Sequence, residues 1–285
     1  MKTLRYVICD VFAERPLEGN PLCVFTDARG LDSAQMQALA RELNLSETTF
    51  VTPPEQGGHA RVRIFTPQRE LPFAGHPTLG TAFVLGGPLQ AQEVRLELAA
   101  GIVPVQIERE GARVSFGWML QPPARVVPGP TPELLLAALG LDPTLPLESY
   151  GHVPAHGSAA GLRHTCVRVA TVELLRGLRP DFPALARATD GGAGVFHWDG
   201  DVCRVRYFAP GAGVPEDPAT GSFAGVLALH LFQREQLAAG TLLRIEQGAE
   251  LRRPSTLYAR VEEGAEPRAS VGGPARIVAR GQFLI

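Results

Sequence analysis

Four cysteines in 285 residues are too few and too scattered to form a framework. Cys9, Cys23, Cys166 and Cys203 show no Cys-x-x-Cys spacing, and three of them sit in apolar, strand-like runs. This pattern fits buried, reduced thiols in a cytoplasmic protein and offers neither a disulfide set nor a thiolate metal site. Runs of one charge are also missing. The net charge is −2 and no Lys/Arg stretch stands out, which argues against a nucleic-acid surface and leaves a small neutral or anionic ligand as the open class. No apolar run approaches the length of a membrane span. Lys2, Arg5, Asp10, Glu14, Arg15 and Glu18 interrupt the first twenty residues, so the apolar core of a signal peptide is absent. With 45% hydrophobic and 20% charged residues, the composition is that of a globular protein of about two domains.

What the sequence does contain is itself, twice. Arg63-Ile-Phe-Thr-Pro67 recurs as Arg206-Tyr-Phe-Ala-Pro210, and Cys23-Val24 recurs as Cys166-Val167, both at an offset of 143. Beyond the shared proline the motifs fit best at an offset of 141, which lays His76-Pro-Thr-Leu-Gly-Thr81 over Asp217-Pro-Ala-Thr-Gly-Ser222. Neither Leu71 to Gln92 nor Pro218 to Gln233 holds an Asp, Glu, Lys or Arg. A helix that is small or apolar on all sides must be enclosed by protein. Each such segment follows an alternating strand, so the economical fold is α+β: two pseudo-symmetric halves, each a curved, mostly antiparallel sheet around a buried central helix. The proline-rich stretch 121–130 divides them as a linker, giving domains 1–120 and 131–285, with a terminal strand expected to cross to the first half.

In chain order, Leu4 to Phe12 and Gly19 to Phe25 read as an antiparallel pair. Asp32 or Ser33 caps a helix with apolar positions Met36, Leu39, Ala40 and Leu43, stopped at Asn44. Leu45 to Val51 runs from a polar turn into a strand, Val94 to Glu108 is a hairpin turning at Ala100-Gly101, and Arg113 to Met119 is a strand. Thr131-Pro-Glu opens a helix that Gly140 closes. Cys166 to Ala170 is strand-like, Asp181 to Ala188 is helical, and strands follow at Val195 to Trp198, Val202 to Phe208, Leu242 to Glu246, Ser255 to Val261 and Ile277 to Leu284. His152 and His156 have helical metal-ligand spacing, but Pro154 between them favours a surface loop.

If each helix is enclosed by its sheet, only its N-terminus can reach a mouth, and the two mouths can face one cleft. Free N–H groups and positive dipole ends then suit a carboxylate or an enolate-like oxygen. Gly75 and Gly221 allow close backbone approach, and Thr81 and Ser222 are matching hydroxyl positions at the offset of 141. Asp217 reads equally as a helix cap, yet its counterpart His76 gives the cleft unlike groups able to exchange protons. Glu47 reads either as a solvated turn acid or as a carboxyl whose pKa a closed cleft would raise into a range useful for proton transfer.

Gly19-Asn-Pro21, Leu43 to Val51, Arg61-x-Arg-x-Phe-Thr-Pro67, Phe73 to Gly80, Glu216 to Ser222 and Gln247-Gly-x-x-x-x-Arg-Pro-Ser255 together resemble the phenazine-biosynthesis isomerase family, PhzF-like proteins. The resemblance runs from the first strand to the last. It implies the diaminopimelate-epimerase-like fold, a site between the halves, and neither cofactor nor metal. It also implies isomerisation of a small unsaturated or carbonyl-conjugated carboxylate by a Glu that moves a proton, here Glu47. His76 and Asp217 are the further catalytic positions, and Asn20, Ser46, Gly75, Gly221 and Ser222 the substrate-binding ones. A homodimer is compatible with it. Related epimerases use two facing cysteines, but Ala74 and Asp217 stand where those are expected, which disfavours a two-thiol racemase. Arg252 departs from the small residue expected there. A binding protein without turnover, or an epimerase or lyase of related chemistry, are the alternative readings.

Overall fold

The computed structural model describes residues 2–152, 162–234, 237–264 and 266–285. The first half holds β1 (Thr3–Val11), β2 (Asn20–Phe25), α1 (Ser33–Leu43), β3 (Glu47–Thr52), β4 (Ala60–Phe65), β5 (Glu70–Leu71), α2 (Gly75–Leu89), β6 (Glu93–Leu98), β7 (Gly101–Glu110) and β8 (Arg113–Leu120). The second holds β9 (Ala124–Val126), α3 (Pro132–Leu139), β10 (Leu147–His152), β11 (Arg163–Arg168), α4 (Val172–Gly177), α5 (Phe182–Ala188), β12 (Gly192–Trp198), β13 (Val202–Ala209), β14 (Val214–Asp217), α6 (Gly221–Arg234), β15 (Leu243–Gln247), β16 (Ser255–Glu262), β17 (Arg268–Gly273) and β18 (Ala275–Leu284). Capping explains several boundaries. The Asp32 carboxylate accepts from the Gln35 amide while the Gln35 side chain returns to the Asp32 N–H, and Asn44 ends α1 at φ 49.

Strand pairing shows the repeat more fully than the sequence does. One half runs β18-β1-β2-β3-β4-β6-β7-β8, with β2/β3 and β4/β6 parallel. The other runs β9-β10-β11-β12-β13-β15-β16-β17, with β11/β12 and β13/β15 parallel. A β8/β17 ladder joins the two. The last strand, β18, is thus part of the first half, and β9 lies inside the proline-rich stretch. Within each concave sheet sits a helix whose residues are nearly all buried: α2 from Gly75 to Val84, and α6 from Gly221 to Leu229. Smaller helices close the outer faces. Met36, Leu39 and Ala40 of α1 pack on Phe25, Phe50 and Phe65, while α3, α4 and α5 pack on Val167, Val195 and Phe208.

The sequence reading missed β10, α4 and β17. It also placed His152 on a surface loop, whereas His152 ends β10 and is 5% exposed. Its ring nitrogens each lie 3.3 Å from a carbonyl oxygen, those of Pro122 and Ser222. His156 falls outside the described residues, and among those described no three His, Cys, Asp or Glu side chains gather as a metal site. All four cysteines are buried and free. No helix among the described residues is long and apolar enough to cross a membrane.

The recurring Arg-x-Phe-x-Pro has a physical cause. Residues two apart on a strand share a face, so the Arg63 guanidinium lies 5.1 Å over the Phe65 ring and that of Arg206 lies 5.1 Å over Phe208. Each arginine also forks onto a glutamate of the next strand, Arg63 onto Glu70 and Arg206 onto Glu216. The copies differ in burial. The Arg206 and Glu216 side chains are 6% and 10% exposed, against 22% and 39% for Arg63 and Glu70. Arg206 also donates to the carbonyls of Leu175 and Leu178 at the end of α4.

Removing the buried arginine strands a carboxylate, and removing the half-exposed one does not. Arg206→Met should therefore cost about 3–5 kcal/mol, and Arg63→Met about 1 kcal/mol or less. Urea unfolding of the two variants checks this; equal losses would contradict the assignment.

Candidate active site

Gly75 opens α2 and Gly221 opens α6, 146 positions apart. The strands agree: Ile64 faces Leu71 and Tyr207 faces Asp217, seven and ten residues apart, so the second copy carries three extra residues in a turn that includes a short 3-10 helix, Pro210–Ala212. The offset of 141 is therefore corrected. It matched Pro77, inside α2, to Pro218, which precedes α6. The structural counterpart of His76 is Ser222, that of Asp217 is Leu71, and that of Ala74 is Thr220. Thr81 is not the partner of Ser222 either. It lies farther along α2, 2.9 Å from the Thr49 hydroxyl.

The two helix starts meet. A Cβ on Gly75 would lie 2.3 Å from the Ser222 nitrogen and 2.5 Å from the Gly221 carbonyl carbon, so only glycine lets the backbones come this close. Neither helix spends a side chain on its own first amides. The residue before α2 is Ala74, which makes no side-chain cap. The residue before α6 is Thr220, whose hydroxyl donates to Asp217 Oδ2 at 2.6 Å and accepts from Gln247 Nε2 at 3.0 Å. Two positive helix ends thus converge with their amides uncommitted to caps.

Around this junction the structure gathers Asn20, Ser46, Glu47, His76 and Asp217, although up to 197 positions separate them. Asn20 starts β2 and Glu47 starts β3. The Asn20 amide nitrogen lies 2.8 Å from Asp217 Oδ1, 3.0 Å from the Ala219 carbonyl and 3.1 Å from His76 Nδ1. Turning that amide round would set its oxygen against a carboxylate and a carbonyl, so the nitrogen must face them. His76 Nδ1 is consequently an acceptor, and the ring proton sits on Nε2. Burial drives the His76 pKa down to about 3, so the ring is neutral. Its Nε2 stands 3.5 Å from Glu47 Oε2, longer than a settled hydrogen bond. Both atoms are buried without a hydrogen-bond partner among the described residues.

The two carboxyls share these surroundings unequally. Burial raises the pKa of both. Asp217 also accepts from Thr220, Asn20 and Ser46, the last at 3.1 Å, and each of these bonds favours its anion. Glu47 has no such donors, and the Asp217 charge raises it further, well above the ordinary carboxylate range. Asp217 therefore keeps the charge and Glu47 the proton.

Several residues that shape the site were not singled out in the sequence. Gln247 accepts from the Thr220 amide and donates to the Asp217 carbonyl, fixing the turn that leads into α6. It lies in a motif the resemblance flagged, which was the only available signal. Arg253 reaches from the second half to Asp10 Oδ1 and to the carbonyls of Glu18 and Gly19, holding the turn before Asn20. Its neighbour Arg252 is exposed at φ 57, so that departure alters a loop.

A family model described as phenazine biosynthesis-like protein matches residues 9–281. The sequence is 46% identical over 267 residues to the trans-2,3-dihydro-3-hydroxyanthranilate isomerase of Pseudomonas aeruginosa, covering 93% of each chain. The crystal structure of a Bacillus anthracis phenazine biosynthesis protein of the PhzF family matches over the whole of both chains, with a TM-score of 0.84 and 25% identity. A hydroxyproline epimerase from Agrobacterium vitis shares the fold with a TM-score of 0.69 and 13% identity, over 98% of this chain and 92% of its own. The chain belongs to the phenazine biosynthesis-like family.

Proposed function

We propose that this chain is an isomerase that moves a proton between carbons of a small unsaturated carboxylate, trans-2,3-dihydro-3-hydroxyanthranilate or a close analogue, without a cofactor. The carboxylate lies against the amides at the starts of α2 and α6, where Gly75, His76, Gly221 and Ser222 supply donors. Glu47, once ionised, takes a proton from one carbon and returns it to another on the same face. Burial makes it a stronger base than a free carboxylate and keeps the proton from exchanging into solvent during the step. His76 stays neutral and offers its Nε2 proton as a donor. Asp217, held by Asn20, Ser46 and Thr220, supplies a fixed negative charge beside the reacting atoms.

The observation that carries this reading is that the cleft has one open acid. Leu22 faces Glu47 on β2/β3, and Thr165 faces Ala193 on β11/β12. At the offset of 143, Leu22 corresponds to Thr165, so the structural counterpart of Glu47 is Ala193. An opposed acid–base pair, as in a racemase, has no second member at this position. A single proton carrier suffices for an intramolecular proton shift in which the proton leaves and re-enters on one face.

Glu47→Gln keeps the size and an acceptor oxygen but cannot carry a proton. Turnover should fall by about 10²–10⁴-fold, with substrate affinity kept within a few-fold by equilibrium binding; retained turnover would remove Glu47 as the carrier. The pH profile supplies a second check. Since Glu47 must be ionised to act, kcat/KM should fall as pH drops through its raised pKa, above the ordinary carboxylate range. Asp217→Asn removes the charge that opposes this ionisation, so the midpoint of the acid limb should move down. An unmoved midpoint would show that another group governs it.

A further inference from the structure

Tyr207, on β13, is buried yet borders a cavity of about 280 Å³. Leu71 and Pro72 from the first half line this cavity together with Leu162, Gly191 and Gly192 from the second. Because Tyr207 is paired with Asp217 across β13/β14, the two side chains share a face, and the phenol feels the charges of both Asp217 and Glu47. Its oxygen is 2.6 Å from His164 Nδ1. Gly192 clears the space for it, since a Cβ there would lie 1.8 Å from the phenol oxygen.

His164 Nε2 is buried and has no hydrogen-bond partner among the described residues, and burial keeps the ring neutral. Two arrangements are available. If the phenol donates to Nδ1, then Nε2 carries a proton with nothing to receive it. If Nδ1–H donates to the phenol oxygen, Nε2 keeps an unpaired lone pair and the phenol O–H is left over, but on a residue that lines the cavity. A sealed N–H cannot be satisfied by anything that enters the cavity, whereas an O–H on its wall can, so the first arrangement is the costlier. The second arrangement holds, and it leaves the Tyr207 O–H without an acceptor among the described residues. Burial, and then the neighbouring Asp217 charge, raise the phenol pKa well above its usual value, so it remains a neutral donor.

We propose that Tyr207, oriented by His164, is a substrate-binding residue of the cleft that donates a hydrogen bond to an acceptor oxygen on the ligand, a ring hydroxyl in the substrate class inferred above. His164 is a positioning residue that turns the phenol proton toward the ligand. Selectivity follows from the same contact, because a ligand lacking that oxygen leaves the phenol unsatisfied.

The assignment rests on the proposed substrate class, and the test separates the two. Calorimetry with 3-hydroxyanthranilate and with anthranilate, which differ by one hydroxyl, gives the preference of the wild type for the hydroxylated probe. That preference should be about two- to tenfold, the range of one neutral hydrogen bond. Tyr207→Phe should abolish it while leaving anthranilate affinity unchanged. His164→Phe should reduce it comparably, and the double variant should lose no more than Tyr207→Phe alone. Equal weakening of both probes in Tyr207→Phe would show a purely structural role and overturn the proposal, as would full retention of the preference. If the wild type binds neither probe, the substrate class fails and this assignment with it.

Discussion

The contact on which the structure depends is between two helix starts. Gly75 and Gly221 bring α2 and α6 together end to end, each end equivalent to roughly half a positive charge. Such ends repel each other, and the surrounding sequence manages that repulsion without cancelling it. Ala74 cannot cap, the Thr220 hydroxyl is engaged by Asp217 and Gln247, and Asp217 stands close with a negative charge. The remaining positive potential is directed at whatever enters the cleft. Each sheet encloses its own helix, so only the helix starts are left to meet, and fold and site share one geometric cause.

The same environment divides labour between two carboxyls. In one low-dielectric space only one can ionise readily, and three donors select Asp217. Glu47 is left with a high proton affinity and, among the described residues, only the Nε2–H of His76 near its carboxyl, 3.5 Å away. Pseudo-symmetry sharpens the contrast. The duplicated backbone could present acids from both halves, yet Ala193 stands where the second would be. The cleft thus presents a symmetric pair of helix ends and one buried carboxyl, Glu47, that has no counterpart in the other half.

Much of this was legible in the sequence because enclosure and duplication both leave local marks. The uncharged stretches around α2 and α6 announced buried helices, and Arg-x-Phe-x-Pro announced the repeat for a reason that pairing makes plain, since Arg and Phe share a strand face. Asn20, Ser46, Glu47, His76 and Asp217 do gather at one place. What the sequence obscured was register. Three extra residues in the turn before β14 shift the helix starts to an offset of 146, while a chance resemblance of proline and glycine positions suggested 141. Gln247, Arg253 and Tyr207 were not singled out because their roles arise from partners brought near by the fold. β10 and β17 were hidden for a related reason: polar residues such as Ser149, His152 and Ser270 point inward on them and are buried, which erases the alternation a strand reading relies on.

The claim that two helix ends form one anion site can be tested at the amides themselves. Titrating anthranilate, a small aromatic carboxylate, into ¹⁵N-labelled protein and following the Gly75, His76, Gly221 and Ser222 resonances measures whether the helices act together. The account predicts that all four shift along one saturation curve with a single Kd. Saturable binding that moves the amides of only one helix, or of neither, would contradict it.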